Sequence, residues 1–422
     1  MIKLLVIADD FTGAMDTGVQ FRTAGTLIRI GGQLNEDLIH SKDLQVLIVD
    51  AETRHMSPQD AYQTVYSISA AAAQAGVPCI YKKTDSALRG NIGSELTAML
   101  RAAERRQLHF IPAFPRMARY TREGIHYIGS TPVAESVFGA DPFEPVRLSD
   151  VREIIASQSN VPSHVVGQDG QAEGEGIFVY DAQTEADLRR IAGALRDSGE
   201  LCLLAGCAGF ASVLPALLEL ESDSSGLPQM DPRLLTVCGS VNPITLGQLD
   251  AAERAGVPRI RLTPRQKLEP GWLESGEGRV AVAGWLEQIR RADSAIIDCG
   301  GGTDCGATDA YAREIGMSGE QTRQRVSAAM GEVLRALLDL GLERTILLTG
   351  GDTLLAFMAY IGQDTLAPLG ELVPGVVLSQ ARYRGRTYNL ISKSGGFGAQ
   401  TLLADLADIL HQSISEEETI PC

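Results

Sequence analysis

Two adjacent aspartates, Asp9 and Asp10, follow the apolar run IKLLVIA at residues 2–8. A run of this length indicates a buried strand, and ligands of open α/β sheets bind beyond the carboxyl ends of the strands. One aspartate at such a position can cap the next helix, while the other binds polyol hydroxyls or accepts a hydroxyl proton. We therefore expect one functional carboxylate here, and a helix from about Gly13 to Ala24.

Further candidate side chains follow the other strand-like runs of the first half. These runs are LQVLIVD at 44–50, CIYKK at 79–83, LHFIPAF at 108–114, IFVYD at 177–181 and LCLLAG at 201–206. The polar residues of interest are Arg54 after the first of these runs, and Lys83, Thr84, Asp85, Ser86 and Arg89 at the end of the second. Because the carboxyl ends of parallel strands meet at one edge of a sheet, these side chains are expected to line a pocket.

The charge of the chain is unevenly distributed. The net charge is −16, yet residues 81–122 contain nine Lys or Arg and three acidic residues, a local charge of +6. Arginines at helical spacing (101, 105 and 106) are expected on a solvated helix face, whereas Lys83 and Arg89 stand at a strand end. Arginine can bind a carboxylate through two parallel hydrogen bonds, so a small anionic substrate is expected. The rest of the chain is strongly acidic and would repel nucleic acids and anionic membranes, so neither is an expected partner.

Glycine-rich segments follow three strand-like runs of the second half. Their candidate residues are Ser240 in GSVNP, Gly350, Gly351, Asp352 and Thr353 in TGGDT, and Lys393, Gly395 and Gly396 in SKSGGFG. Glycine lets a ligand approach the backbone closely, and a helix N-terminus offers free N–H groups to phosphate. The order strand, glycine turn, helix in TILLTGGDTLLAFMAYIG suits a phosphate cradle. A fourth segment, CGGGTDCGA at 299–307, is expected to be a plain glycine-rich loop.

Several common signatures are missing from the sequence. No GxxxxGK[ST] occurs, and no GxGxxG follows the first strand, so neither a P-loop nor the ordinary dinucleotide fingerprint is present. No HExxH motif or Cys/His cluster indicates a metal site, and the seven cysteines form no CxxC pair. The lone His126 is expected to be structural. Because the N-terminus reaches two aspartates too early for a signal peptide, a cytoplasmic location is expected.

The alternation of short apolar runs with helical patterns predicts an α/β fold, with mostly parallel sheets covered by helices on both faces. A chain of 422 residues is long for one hydrophobic core. The polar segment ESDSSGLPQMDP near 221–233 has no periodic apolar pattern and is expected to be a linker. We therefore predict two domains, one at 1–222 and the other at 233–412.

Together these motifs resemble those of the four-carbon acid sugar kinases. The segments that carry the resemblance are ADDFTGAMDTG, the Glu-Thr-Arg after the second strand, KKTDSALRGN, IPAFPRMARYTREGIHYIGSTPVAESVFGADPFEPV, GSVNP, TGGDT and KSGGFG. They span about residues 3–405 in the family's order. The resemblance implies ATP-dependent phosphorylation of the terminal hydroxyl of threonate, erythronate or 3-oxo-tetronate, a phosphotransferase reaction of carbohydrate catabolism.

The resemblance also implies that the domain at 1–222 binds the sugar acid and that the domain at 233–412 binds the nucleotide, with the active site in the cleft between them. It implies residue roles as well. Asp10, Arg54 and the run Lys83–Ser86 would contact the sugar acid, whereas Ser240, the loop Gly350–Thr353 and the glycines Gly395 and Gly396 would contact ATP. As a mechanism we hypothesise that Arg54 and Lys83 hold the substrate, and that Asp10 or Asp85 orients the attacking hydroxyl and takes its proton. Mg²⁺ would bridge the phosphates largely through water, with Asp352 as its candidate protein partner or as an alternative base.

Two other functions remain open at the level of sequence. An NAD(P)-dependent sugar-acid oxidoreductase would have the same fold class, although the missing dinucleotide fingerprint argues against it. A non-catalytic sugar-acid sensor with a vestigial nucleotide site would bind the acid without releasing ADP. The stereochemistry of the acid is not decided by the sequence, and neither is the oligomeric state, for which a homodimer is one option.

Overall fold

The computed structural model describes residues 1–21, 25–32, 34, 36–141, 144–168, 170–221, 226–300, 303–393 and 398–415, with backbone only at 36, 303–305 and 412–415. The chain forms two compact units, Met1–Ser224 and Ser225–Cys422. Across the described ranges, no helix combines the length and the apolar character needed to cross a membrane.

The first unit is built on a parallel sheet. Its strands, with those of a small second sheet, are β1 (Leu4–Ala8), β2 (Thr26–Ile30), β3 (Val46–Asp50), β4 (Cys79–Lys83), β5 (Gln107–Ile111), β6 (Arg119–Arg122), β7 (Ile125–Ile128), β8 (Thr131–Pro132), β9 (Ser163–Val166), β10 (Gly176–Tyr180) and β11 (Leu203–Gly206). The parallel order is β2-β3-β1-β4-β11-β5-β10-β9. Every residue of β1, β3, β4 and β10 is buried, as expected for strands covered on both faces.

Helices connect these strands. They are α1 (Phe11–Gly18), α2 (Glu36–Ile39), α3 (Pro58–Gln74), α4 (Ile92–Ala102), α5 (Val151–Ala156), α6 (Glu185–Ser198), α7 (Ala208–Ala211) and α8 (Leu214–Leu217), with short 3-10 turns at Val19–Phe21, Pro115–Met117 and Val133–Glu135. Ser57 caps α3 by accepting from the amide of Asp60, with Pro58 at the first helical position. The main core of the unit packs these helices against β1, β3 and β4 through residues such as Leu5, Leu47 and Leu96.

The small antiparallel sheet has the order β6-β7-β8. It follows β5 along the chain, after a 3-10 turn that ends at Ala118 in the left-handed conformation. Two backbone hydrogen bonds close this turn, from Phe114 N to Arg119 O at 2.9 Å and from Arg119 N to Phe114 O at 3.1 Å. They fix Arg119 at the start of β6.

The second unit has a mixed sheet. Its strands are β12 (Leu234–Cys238), β13 (Arg259–Arg261), β14 (Ser294–Asp298), β15 (Thr345–Thr349), β16 (Thr365–Val373), β17 (Val376–Tyr383) and β18 (Arg386–Lys393). Its helices are α9 (Pro243–Arg254), α10 (Pro264–Leu268), α11 (Gly276–Arg290), α12 (Thr303–Glu314), α13 (Gly319–Asp339), α14 (Gly351–Tyr360) and α15 (Leu402–Ser415), with a 3-10 turn at Trp272–Glu274. The order β13-β14-β12-β15-β18 is parallel, and β17 and β16 extend it antiparallel.

Several local expectations need correction. The predicted helix at 13–24 begins earlier, because Asp10 caps it at Phe11, and its α-helical part ends at Gly18. The predicted strand at 108–114 ends at Ile111, where the following proline cannot donate to a ladder. The glycine segment at 299–307 is a loop only in part, since α12 begins at Thr303.

Candidate functional site

The carboxyl ends of β1, β3 and β4 bring together the aspartates and arginines that the sequence singled out. Asp10 is the cap of α1: its Oδ1 accepts from the amide of Gly13 at 2.9 Å, as expected for one member of the pair. Asp9 is buried, whereas the side chain of Asp10 remains 21% exposed. Of these two carboxylates, Asp10 is therefore the one that a ligand can reach.

Arg54 lies between these carboxylates. Its Nε donates to Asp9 Oδ2 at 2.8 Å, its Nη1 donates to Asp10 Oδ2 at 2.7 Å, and its Nη2 lies 3.7 Å from Asp85 Oδ1. Burial opposes the charge of Arg54, but Asp10, Asp9 and Asp85 raise its pKa above the ordinary value. Asn91 holds the backbone of this segment by donating to the carbonyls of Thr53 and Met56.

Asp85 is paired with Arg89. Nε and Nη2 of Arg89 donate to the two carboxylate oxygens, each at 3.0 Å, and the amide of Ala87 adds a bond of 3.1 Å. Burial alone would raise the pKa of Asp85, but Arg54 and Arg89 outweigh it and lower the pKa far below the usual range. Asp85 is consequently an ionised anchor. We call Asp9, Asp10, Arg54, Asp85 and Arg89 the carboxylate–arginine cluster.

Lys83 and Thr84 border this cluster. Lys83 Nζ donates to the carbonyl of Thr84 at 2.6 Å and lies 3.9 Å from Asp9 Oδ1. Burial raises the pKa of Asp9, but Arg54, Lys83 and Lys82 lower it, and the net direction is downward. Thr84 Oγ1 and Asp9 Oδ1 are buried without hydrogen-bond partners among the described residues. Unsatisfied polar atoms of this kind are costly unless a ligand or water completes them.

Ser86 is held through its backbone. His126 Nε2 donates to the carbonyl of Ser86 at 2.9 Å, and His126 Nδ1 lies 3.2 Å from Thr121 Oγ1. Burial lowers the pKa of His126 to about 4, so the imidazole is neutral near pH 7. The structure thus gives His126 a positioning role, in line with the sequence expectation.

Arg119 and Phe138 lie beside the cluster, and sequence reasoning did not select either one. Arg119 belongs to the cationic segment 81–122, which was the available signal. The guanidinium carbons of Arg89 and Arg119 lie 5.4 and 5.6 Å from the centre of the Phe138 ring. Cation–π contacts of this kind hold both guanidinium groups at the same edge of the sheet.

In the second unit, the ends of β12 and β15 meet around Thr353. A Cβ added to Gly239 would lie 2.1 Å from Thr353 Oγ1, and one added to Gly350 would lie 3.4 Å from it and 3.7 Å from Ser240 N. Gly350 has φ of +100°, which favours glycine, and it caps α14 at Gly351. We call Gly239, Ser240, Gly350 and Thr353 the glycine cradle. It joins two segments at a helix N-terminus, where an anion is stabilised.

The other residues predicted to bind the nucleotide differ in their exposure and in their partners. The Asp352 side chain is 52% exposed and forms an ion pair of 2.7 Å with Arg323. Lys393, at the end of β18, is buried and donates from Nζ to Thr245 Oγ1 at 3.0 Å. Burial lowers the pKa of Lys393 from 10.5 to about 8. Gly395 and Gly396 lie outside the described residues.

Comparison with known proteins identifies the family to which the chain belongs. Residues 4–214 match the sugar-binding N-terminal domain, and residues 235–403 match the nucleotide-binding C-terminal domain. The chain belongs to the protein family that combines these two domains, the four-carbon acid sugar kinases, and the resemblance seen in the sequence is confirmed.

Curated relatives match nearly the whole chain. The D-threonate kinase of Salmonella typhimurium is 31% identical over 424 residues, covering 96% of this chain and 97% of the relative. The D-erythronate kinase of Heliobacterium modesticaldum is 28% identical over 443 residues and 99% of both chains. A 3-oxo-tetronate kinase of Pseudomonas fluorescens is 26% identical, covering 93% of this chain and 94% of the relative.

Solved structures confirm the fold class. A crystal structure from Salmonella typhimurium LT2 has a TM-score of 0.78 at 22% identity and covers 96% of this chain and 98% of its own. A protein from Haemophilus influenzae has a TM-score of 0.72 at 19% identity, with 97% and 99% covered. These likenesses concern the fold alone.

Proposed function

We propose that the chain is an ATP-dependent kinase that phosphorylates the terminal hydroxyl of a four-carbon sugar acid. The carboxylate–arginine cluster is the observation that carries the proposal, because it gathers hydroxyl-binding carboxylates and cations at the ligand-binding edge of a sheet. The relatives named as D-threonate, D-erythronate and 3-oxo-tetronate kinases support this substrate class. The choice among these acids depends on the placement of single hydroxyl groups.

Within this proposal Asp10 orients the attacking hydroxyl and accepts its proton. Its side chain is 21% exposed, against 3% for Asp9 and 10% for Asp85. Asp85 is a poor proton acceptor, because its neighbouring arginines stabilise the ionised form. Asp9 and Asp85 then serve as fixed charges that orient cations and substrate hydroxyls.

Arg54 takes a different role from the one first hypothesised. Its N–H groups already donate to Asp9 and Asp10, so it is a positioning residue for these carboxylates before any substrate arrives. Lys83 and Thr84, which border the cluster, are the residues proposed to meet substrate hydroxyls, and Thr84 Oγ1 lacks a hydrogen-bond partner in the described part of the chain. Arg89 and Ser86 complete the proposed substrate-binding set.

The glycine cradle is the proposed site for the ATP phosphates. Ser240, Gly350, Gly351 and Thr353 surround the start of α14, and Lys393 supplies a positive charge nearby. Among the described residues no group of three or more His, Cys, Asp or Glu could hold a metal ion. We therefore treat magnesium as part of the nucleotide substrate, with Asp352 as its proposed protein contact once Arg323 releases it. Transfer in a cleft between the domains stays a prediction.

The proposal is tested by ADP release. The full chain is assayed with MgATP and each stereoisomer of threonate, erythronate and 3-oxo-tetronate, with the phosphorylated product identified by mass spectrometry. We expect one acid to be preferred and the phosphate to be on its terminal hydroxyl. Absence of ADP release with every acid, or reduction of NAD(P)⁺ in its place, would contradict the proposal.

A further inference from the structure

Arg54, Arg89 and Arg119 stand at the ligand-binding edge of the first sheet, and among the described residues carboxylates pair with Arg54 and Arg89 only. Arg54 pairs with Asp9 and Asp10, and Arg89 pairs with Asp85. Arg119 forms no ion pair within the described ranges. Its Nη1 donates to the carbonyl of Met117 at 3.0 Å, while its Nε is buried and has no hydrogen-bond partner in the described part of the chain.

Arg119 as a whole is partly buried, and a partly desolvated cation without a counter-ion among the described residues is costly. Neighbouring carboxylates raise the pKa of Arg54 and of Arg89, whereas burial lowers the pKa of Arg119. Asp85 attracts the Arg119 charge and Arg89 repels it. The charge therefore lies next to the carboxylate–arginine cluster without being neutralised by it.

The backbone holds Arg119 in the same way as Arg89. Arg89 and Arg119 each directly follow a non-glycine residue in the left-handed region, Leu88 with φ of 64° and Ala118 with φ of 53°, whereas Arg54 lies two residues after Glu52, with φ of 49°. Such conformations are costly and persist where the surroundings enforce them, often at ligand-binding sites. The Phe138 ring then fixes the guanidinium groups of Arg89 and Arg119 on one aromatic surface.

We infer that Arg119 binds the carboxylate of the substrate, a role that rests on the proposed function. The guanidinium fork of Arg119 has donors to spare, and a carboxylate accepts two parallel hydrogen bonds from such a fork. The substrate would supply the counter-ion that the free protein lacks. The terminal hydroxyl of the substrate, at the other end of the molecule, would then contact Asp10. Because a sugar alcohol has no carboxylate, Arg119 would distinguish the sugar acid from the corresponding sugar alcohol.

Kinetics of the full chain with two substrates test the inference. One is the preferred four-carbon acid, and the other is the corresponding tetritol, which carries CH2OH in place of the carboxylate. Arg119→Gln is expected to raise the KM for the acid roughly 10- to 100-fold, with kcat changed only a few-fold, and to leave kcat/KM for the tetritol unchanged. Arg119→Lys keeps the charge but not the two parallel N–H donors, so its KM for the acid should lie between the values of the unmodified protein and of Arg119→Gln.

The control variant is Arg116→Gln. Arg116 lies in the 3-10 turn that precedes Arg119, but its side chain is 66% exposed. This variant should match the unmodified protein for both substrates. An unchanged KM for the acid in Arg119→Gln, or an equal loss for acid and tetritol, overturns the inference.

Thermal unfolding separates binding from structure. Removal of an unneutralised charge should leave the melting temperature of Arg119→Gln unchanged or raised, whereas a lower melting temperature without a rise in KM would show a structural role and overturn the inference. If the unmodified chain releases no ADP with any acid, the proposed function fails. Calorimetric titration of the acids then decides about Arg119: binding that Arg119→Gln abolishes retains the inference, and binding that is absent or unaltered refutes it.

Discussion

The ammonium group of Lys82 lies 3.0 Å from Glu95 Oε2, with 0% and 1% of the two side chains exposed. Lys82 Nζ also donates to the carbonyls of Ile7 at 3.2 Å and Lys83 at 2.8 Å. One buried cation thus ties the ends of β1 and β4 to α4. The backbone positions of Asp9 and Lys83 depend on this connection.

Removal of Lys82 should therefore destabilise the protein. In Lys82→Met the carboxylate of Glu95 stays buried without its cation, which costs about 3–5 kcal/mol of unfolding free energy. The measurement is urea unfolding followed by far-UV circular dichroism. In the double variant Lys82→Met/Glu95→Leu most of the loss should be recovered, because both charges are gone. A double variant no more stable than Lys82→Met would contradict the assignment of this cost to the unpaired carboxylate.

Asp10→Asn should retain the fold and lose turnover. Asparagine also caps helices, so the bond from Gly13 N can be kept, but an amide cannot accept the hydroxyl proton. We expect kcat to fall roughly 10²- to 10⁴-fold with little change in the melting temperature. Asp16→Asn, in the same helix, is the matched control and should remain active. Near-normal kcat in Asp10→Asn would remove this residue from the proposed mechanism.

Gly239→Ala tests the glycine cradle. The added Cβ would lie 2.1 Å from Oγ1 of Thr353, a β-branched side chain that is only 1% exposed and cannot move aside cheaply. We expect the KM for ATP to rise roughly 10- to 100-fold, because the cradle must shift. The KM for the sugar acid should stay within about twofold.

A matched control for this variant lies in α9. A Cβ added to Gly247 would meet nothing within 4 Å, so Gly247→Ala should leave the kinetics unchanged and slightly stabilise the helix. Isothermal titration with a non-hydrolysable ATP analogue checks binding directly. Equal affinities of Gly239→Ala and Gly247→Ala for this analogue would argue against a nucleotide site at Gly239.

Lys393 should make nucleotide binding sensitive to pH. With a pKa of about 8, the charged fraction of Lys393 falls from about nine-tenths at pH 7 to about one-tenth at pH 9. If the ammonium group contacts phosphate, the KM for ATP should rise severalfold over this interval. Lys393→Arg keeps its charge and should abolish the rise, whereas an identical pH profile in both proteins would place Lys393 outside the phosphate site.

Lys393 should also make the stability of the protein depend on pH, but stability should increase as the pH rises, whereas nucleotide binding should weaken. Because the folded-state pKa of Lys393 lies below the ordinary value of 10.5, the folded unit binds fewer protons than the unfolded chain between pH 8 and pH 10.5. Its contribution to stability is complete above about pH 10.5 and is lost as the pH falls through about 8. Lys393→Met should remove this dependence in denaturant titrations at several pH values.

The sequence predicted those parts of the site that depend on strand ends. Asp9, Arg54 and Asp85 follow buried apolar strands, and parallel topology alone brings such positions together. The helix start at Ser57-Pro58 was equally predictable, because a serine cap and an N1 proline act locally. These elements depend on neighbours in sequence or on a regular repeat.

What could not be predicted depends on side-chain pairing across distant segments. The sequence predicts that Arg54 contacts the substrate, but it does not predict the hydrogen bonds from Arg54 to Asp9 and Asp10, more than 40 residues away in the chain. Arg119 was counted in the cationic segment but not selected, because its closed turn and its place over Phe138 are tertiary features. Strand β2 at Thr26–Ile30 was missed because Thr26 and Arg29 interrupt the apolar pattern of TLIRI.

The internal ion pairing of the carboxylate–arginine cluster has an evolutionary consequence. Asp9, Asp10 and Asp85 each face a guanidinium group within the protein itself, so their arrangement does not require a particular substrate. A lineage can therefore inherit this centre unchanged while mutations in the surrounding loops alter which stereoisomer fits. New substrate specificities can therefore arise in such a protein while the ion pairs of the carboxylate–arginine cluster are retained.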